Sequence, residues 1–234
     1  MKILENLLKS IIRKVIKVDN LNWDINQILE PTHGAFRGTP MDRVLLQRFF
    51  ETANLPRNHI NAIEVGSIEY LDRYFQCDNE ILLEYKENQP LEKKGNTLVG
   101  DLRKDIAEDL KNSIDLIVST QVMCFIDDYQ KVLQGFLDLL KAGGYLIGSE
   151  PFLSPMSIYD DSRSGDFRRF TQKGLRYEFE KIGLNPIVIE PFGNESTSVF
   201  QILGIAEEDV TNIENILNSN TSSHATLITC IIQK

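Results

Sequence analysis

Histidine, cysteine and tryptophan are scarce in this chain of 234 residues, which holds three, three and one of them. The cysteines, Cys77, Cys124 and Cys230, lie far apart, with no CxxC pair and no His/Cys cluster. Neither a zinc site nor a disulfide framework is supported, and a reducing, cytosolic setting is expected. Positive charge is also in deficit: 25 basic against 34 acidic residues give a formal −9. That balance argues against a nucleic-acid groove, which needs concentrated basic charge to displace counterions. No run reaches the roughly 18 unbroken apolar residues of a membrane span. A GxGxxG fingerprint is missing, which weighs against a nucleotide-dependent oxidoreductase. Internal repeats are absent, and low complexity is confined to the polar loop Asn218–Ser223.

What is present starts with an amphipathic amino terminus. Ile3, Leu4, Leu7, Leu8, Ile11, Ile12, Val15 and Ile16 recur at helical spacing, while Lys2, Lys9, Arg13, Lys14 and Lys17 oppose one acid, Glu5. Such a helix docks on its own domain or on a second subunit, or lies on an anionic membrane surface. Its charges interrupt the apolar stretch and no small-residue cleavage site follows, so it does not read as a secretory signal. Residues 18–40 are mixed and polar, a linker or lid. The length fits one substantial core, so residues 1–40 are read as an extension and 41–234 as a single domain.

Asp115–Ser149 is the most informative stretch. An apolar run, Leu116-Ile117-Val118, is followed by Val132, Leu133, Phe136, Leu137 and Leu140 at helical spacing. A Gly143-Gly144 break and a second apolar run, Tyr145-Leu146-Ile147, complete a parallel crossover unit. Lys141 is expected in the last helical turn and Gly143 as its left-handed stop. The strands of this unit are expected at 114–118 and 145–149, and further strands at 62–65, 80–85, 97–99, 186–190 and 226–232, with helices at 41–52, 68–75 and 171–182. Strands alternating with helices predict an open, doubly wound α/β sheet.

In such sheets ligands bind beyond the carboxyl ends of the strands. The first strand ends in Glu64, Gly66 and Ser67, the second in Glu84 and the third in Asp101. Glycine permits a sharp turn and close approach. Glu84 is placed to accept from a ribose diol, and Asp101 from an exocyclic amine such as that of adenine. Thr120 and Gln121, after the fourth strand, join the same rim. A solvated surface carboxylate is the plain alternative at each position; together, in chain order, they favour a nucleoside pocket.

AIEVGS (62–67), VGDL (99–102) and DLIVSTQ…LKAGGYLIGS taken together resemble the class I S-adenosylmethionine-dependent methyltransferases. RGTPMDR (37–43), YDDSRSGDFRRFT (159–171), the FGN of 192–194 and the LIT of 227–229 narrow the match. They are similar to a bacterial branch of small methyltransferases that act alone or beside glycosyltransferases and are associated with surface-polysaccharide sugars. The resemblance covers roughly Phe36 to the carboxyl terminus. It implies a mostly parallel, seven-stranded Rossmann-like sheet with helices on both faces, and S-adenosylmethionine as cofactor. It also implies that the segment of Arg37, Thr39, Asp42 and Arg43 folds over the cofactor, an arginine pairing with its carboxylate, with a salt-bridged helix start as the alternative. Thr39 and Pro40 fit equally well as helix cap and first helical residue. One departure is plain: the usual GxGxG loop keeps only Gly66, followed by Ser67, Ile68 and Glu69. A non-catalytic binding module partnering a glycosyltransferase therefore stands as the alternative.

Methyl transfer to a hydroxyl needs in-line alignment and a proton acceptor. The loop 151–171 supplies acids and rings that suit a sugar. Within it the resemblance matches Tyr159, Asp160, Arg163, Asp166, Arg169 and Phe170. Asp166 and then Asp160 are the candidate bases; Tyr159, Arg163, Arg169 and Phe170 are candidate substrate contacts. Asp166 could equally be a structural partner of Arg169, with Thr171 capping the next helix. His33, in the linker, is a further conceivable base. The expected activity is O-methylation of a sugar hydroxyl on a glycan or its precursor, in the cytoplasm or at the inner face of the membrane.

Overall fold

In a computed structural model, residues 38–218, 221 and 223–234 are described. The expected helix over residues 1–17, together with His33 and Arg37, lies outside them. The described elements open with α1 (Met41–Thr52), β1 (Asn58–Val65), α2 (Glu69–Tyr74) and β2 (Gln76–Tyr85). Then come β3 (Glu92–Lys94), β4 (Thr97–Gly100), β5 (Ile114–Thr120), α3 (Tyr129–Leu139) and β6 (Leu140–Pro151). The remainder is α4 (Ile158–Asp161), α5 (Gln172–Lys181), β7 (Asn185–Phe192), α6 (Glu195–Leu203), α7 (Ile213–Leu217) and β8 (Leu227–Gln233).

The strands form one sheet in the order β3-β4-β2-β1-β5-β6-β8-β7. From β4 to β6 every neighbouring pair is parallel, and β8 runs antiparallel between β6 and β7. The seven expected strands are therefore joined by an eighth, β3, which folds back antiparallel on β4. Its sequence, Glu92-Lys93-Lys94, is all charge. Such a strand carries no apolar alternation to read, yet it blunts the sheet edge against pairing with another chain.

β5 is buried along almost its whole length, as its unbroken apolar run requires in a sheet covered on both faces. One face packs with α3 and α5 through Phe136, Leu139 and Phe179. The other packs with α1 and α2 through Leu45, Phe50 and Leu71. Gly148 in β6 lets this centre close. A Cβ there would stand 1.8 Å from the Ser119 carbonyl oxygen of the neighbouring strand.

Two local expectations are corrected. α3 ends at Leu139, because Leu140 already pairs with Ile114 in the sheet. Lys141 thus lies in β6 and forms an ion pair with Asp115, and Gly143 (φ +78°) makes a bend within that strand rather than stopping the helix. At the start of α1 the cap is Pro40, with no side-chain bond. Glu208 has claimed Thr39 instead, accepting from its backbone N–H at 2.7 Å and from its hydroxyl at 2.9 Å.

Candidate cofactor and acceptor clefts

The chain leaves β1 toward β2 on one side and reaches β5 on the other, so the crevice at their carboxyl ends is a topological switch point. Gly66 makes the turn out of β1 with φ +81°, and no atom lies within 4 Å of where its Cβ would stand. Glu64 builds this turn from below. It is buried, and its carboxylate accepts from the Ser67 hydroxyl at 2.5 Å and from the N–H groups of Tyr70 and Leu71 at 3.0 and 2.9 Å. Burial raises its pKa against the pull of those donors. Glu64 and Ser67 therefore hold the loop that would face the ligand. Their side chains are turned on each other.

Two clefts meet here. The first, about 300 Å³, has apolar walls of Val65, Leu83, Leu102, Ile126 and Val132, with Tyr85, Glu87, Asp101, Arg103 and Asp127 among its polar groups. Glu84 is not among them. Leu83 and Tyr85 line the cleft, so the residue between them points to the opposite face of the strand. Tyr85 and Glu87 are the side chains that β2 and its following turn actually offer, a one-residue register error in the sequence reading.

Asp101 does line the cleft and is fully buried, but its acceptor sites are filled. Arg103 donates to it from Nε at 2.9 Å, from Nη2 at 2.9 Å and from its backbone N–H at 3.0 Å; Asn88 N–H adds a fourth bond at 3.1 Å. An ionised carboxylate has about four lone-pair sites, so none is left for an adenine amine. Burial alone would raise the Asp101 pKa; the Arg103 bonds outweigh it and hold the pKa below the ordinary range. The same guanidinium reaches Asp127 Oδ1 and the Tyr85 hydroxyl, both at 2.6 Å. Arg103 is thus a strut tying the ends of β2 and β4 to the loop after β5. Sequence reasoning missed it, although an arginine two residues beyond a strand-end acid was the available signal.

The second cleft, about 490 Å³, lies between the start of α1 and the loop 151–171. It is lined by Asp42, Arg43, Thr120, Gln121, Phe125, Tyr159, Asp160, Asp166 and Arg169, among others. Gln121 and Phe125 border both clefts. Gln121 sits at φ +55°, donates its N–H to the Ser149 carbonyl at 2.7 Å and its side-chain amide to Asp42 Oδ2 at 2.8 Å. Asp42 also accepts from the Arg43 N–H at 3.0 Å. Sequence reasoning placed this nearly buried carboxylate only within the segment expected over the cofactor and did not single it out as a site residue. Arg43 projects into the cleft mouth and donates to the Tyr70 hydroxyl at 3.3 Å.

The loop 151–171 covers both clefts, with Arg163, Ser164 and Phe167 over the first and Tyr159 and Asp160 over the second. Three expectations for it fail. Asp166 is locked to Arg169 by bonds of 2.5 and 2.8 Å and accepts from Ser157 N–H at 2.9 Å. A carboxylate so paired is a poor proton acceptor. Arg169 spends its remaining donors on the carbonyls of Ser154, Pro155 and Arg168, so the guanidinium is structural. Phe170 is buried in the core and packs edge-on against Tyr129 at 5.4 Å. Arg163, by contrast, lies over the exposed Tyr159 ring at 3.8 Å, and the Asp160 carboxylate accepts from Ser157 Oγ at 2.6 Å. Thr171 does cap α5, accepting from Gly174 N–H at 3.1 Å.

Behind the junction, Glu150 is completely buried at the end of β6 and accepts from the N–H groups of Met123 and Cys124, both at 3.1 Å. Burial pushes its carboxyl up to about 8, against those bonds. It anchors the turn 123–125 and hence Phe125.

No group of acidic, histidine or cysteine side chains among the described residues could hold a metal ion. The first cleft suits an adenosine instead: apolar walls for the base and carboxylates for a ribose diol. A family model described as a methyltransferase domain matches residues 69–148. No curated protein matches the chain. Solved structures with the same fold include an S-adenosylmethionine-dependent methyltransferase from Mesorhizobium loti. It is 12% identical, with a TM-score of 0.54 over 83% of this chain and 98% of that one. A Thermotoga maritima methyltransferase, titled a possible histamine N-methyltransferase, is 15% identical with a TM-score of 0.53 over 91% and 99%. Phosphoethanolamine N-methyltransferase 2 of Haemonchus contortus, bound to S-adenosyl-L-methionine, is 14% identical with a TM-score of 0.51 over 82% and 52%. Over residues 69–148 the chain is similar to methyltransferase domains, and its fold is one that S-adenosylmethionine-dependent methyltransferases share, which supports S-adenosylmethionine as cofactor.

Proposed function

We propose that the chain methylates a hydroxyl of a sugar, on a glycan or a glycan precursor, with the first cleft holding the cofactor and the second the acceptor. The observation that carries this reading is the shared border of the two clefts at Gln121 and Phe125, with Asp42 beside it. When bound, S-adenosylmethionine supplies a methyl group on a cationic sulfur, open to in-line displacement by an oxygen nucleophile. Glu87 and Tyr85 take the ribose side, and Arg43 meets the methionine carboxylate. Tyr159 covers the apolar face of the sugar, and Asp160 accepts from its hydroxyls. Asp42 receives the proton of the attacking hydroxyl; each of its oxygens already accepts one bond and retains a lone pair for another. A base so positioned contributes about 10²–10⁴ in rate.

The test is methyl incorporation, read by mass, against a panel of nucleotide sugars and glycans. Asp42→Asn should then lose about 10²–10⁴ in turnover while keeping its affinity for S-adenosylhomocysteine. Full turnover in Asp42→Asn removes the base assignment, and an amine acceptor removes the sugar reading.

A second reading keeps two specific supports: Ser67, Ile68 and Glu69 add side chains where the loop is usually bare, and Asp101 is saturated chiefly by Arg103. On this reading the chain is a non-catalytic module that steers a glycosyltransferase in surface-polysaccharide synthesis. Calorimetry separates the two. Absence of S-adenosylmethionine binding at millimolar concentration in the folded protein selects the module.

A further inference from the structure

On the α1 face of the sheet, away from both clefts, an open groove of about 670 Å³ runs between the last turn of α1 and strand β7. Phe49, Leu55, Tyr145, Ile187, Val188 and Phe192 give it an apolar lining, and Ile187 is 50% exposed. The first half of α1 is covered by α6, where Met41 and Val44 pack with Phe200 and Leu203. The second half is covered on one side by α2, where Phe50 stacks on Tyr70 and Tyr74, and among the described residues its other side opens onto the groove at Thr52, Ala53 and Asn54. Among the described residues only Glu190 is charged in the lining, and no lysine or arginine lines it.

We propose that this groove receives the chain's own amino-terminal segment, residues 1–17. The segment's apolar residues recur at helical spacing from Ile3 to Ile16, about 21 Å as a helix, against about 26 Å for the eight residues of β7. Its five basic and one acidic residue give it a net +4, which leaves −13 of the chain's formal −9 on the rest. The basic segment is therefore attracted to its own acidic body, whereas that body is repelled by an anionic membrane. Reach is sufficient. Residues 18–37 number twenty, a length that can span up to about 66 Å, and α1 carries the chain about 18 Å from the site end of the sheet to the groove. Docking is thus intramolecular, at an effective concentration in the millimolar range.

The test is hydrogen exchange on the full chain with single-charge variants on each side of the contact. In the wild type, residues 1–17 and β7 should be protected together. Ile187→Glu, at a half-exposed position, should speed exchange across residues 1–17 at least tenfold, and Leu8→Glu should do the same for β7. The double variant should match either single one. Leu8→Glu leaves every described residue unchanged, so its effect on β7 reads the contact even if Ile187→Glu folds badly. Unchanged β7 exchange in Leu8→Glu overturns the proposal. So does protection of residues 1–17 that appears only with phosphatidylglycerol vesicles, which selects a membrane surface. Protection that rises with protein concentration also overturns it, and selects a second copy.

Discussion

Removing the Arg103 side chain isolates a carboxylate that water cannot reach. Asp101 is fully buried, and Arg103→Ala deletes two of its four hydrogen bonds and its only charge partner among the described residues. Breaking a buried pair from one side costs about 3–5 kcal/mol. The two backbone N–H donors, Asn88 and residue 103 itself, survive the change, so the loss should fall near the lower end, about 3 kcal/mol. For a chain of this size that is a drop of roughly 6–12 °C in Tm. Arg103→Ala with Asp101→Asn should recover most of the deficit, since the buried charge is then gone. The pH dependence supplies the sharper check. In the wild type the folded Asp101 pKa is depressed, so its contribution is present above the unfolded value of about 3.9 and is lost only as pH falls through the lower folded value. In Arg103→Ala only the two backbone N–H donors are left to oppose burial, which raises the folded pKa, so the variant's deficit should shrink as pH is lowered from neutral toward that range. Urea unfolding of both proteins between pH 4 and 8 measures it. A loss under about 0.5 kcal/mol, or a deficit independent of pH, refutes the strut.

Glu150 gives the opposite sign. Its folded pKa is raised by burial to about 8 from 4.5, so its stabilising contribution is complete below the unfolded value and is lost as pH rises through the folded one. Wild-type stability should fall by up to about 1.4 kcal/mol per pH unit across that window, and Glu150→Gln should flatten the slope in urea titrations. Asp166→Asn and Arg169→Ala should each destabilise the protein by about 2–4 kcal/mol, with a double variant no worse than either alone, as scanning calorimetry would read. Gly148→Ala should cost more than about 3 kcal/mol or prevent folding, because the Ser119 carbonyl occupies the position of the new methyl group; circular dichroism melts test it. Phe170→Ala should lose about 3–5 kcal/mol of stability in urea unfolding, where a pure substrate contact would leave the midpoint unchanged.

The parts of the fold that could be read from the chain are those where one local pattern suffices. β5 announces itself by an apolar run buried on both faces, α1 by its apolar side, and α5 by its Thr171 cap. β3 was invisible because three charged residues become a strand only by pairing with β4. The end of α3 was misread because Gly143 is a better helix stop than Leu140 in isolation, and only the sheet contact with Ile114 overrides that preference. The site divides in the same way. That acids gather at the carboxyl ends of β1, β2 and β4 was legible; what each acid touches was not. Glu64 is turned onto its own loop, Glu84 faces the other side, Asp101 is saturated and Asp166 is paired. A carboxylate's role depends on which donors reach it first, and those donors come from residues that periodicity does not connect.

Proximity in sequence was misleading for the same reason at the junction of the clefts. Gln121 and Asp42 are separated by 79 positions, yet the amide of one is fixed on the carboxylate of the other. The backbone of Gln121 occupies the left-handed region at φ +55°, which costs about 1 kcal/mol or more for a non-glycine residue. That conformation is held from three sides: by the Ser149 carbonyl, by Asp42, and by the turn 123–125 that Glu150 anchors. Restraint of this kind at a residue bordering two clefts fixes their relative position before either is filled. In-line transfer demands the same property, because the alignment of donor and acceptor must exist before the chemistry begins.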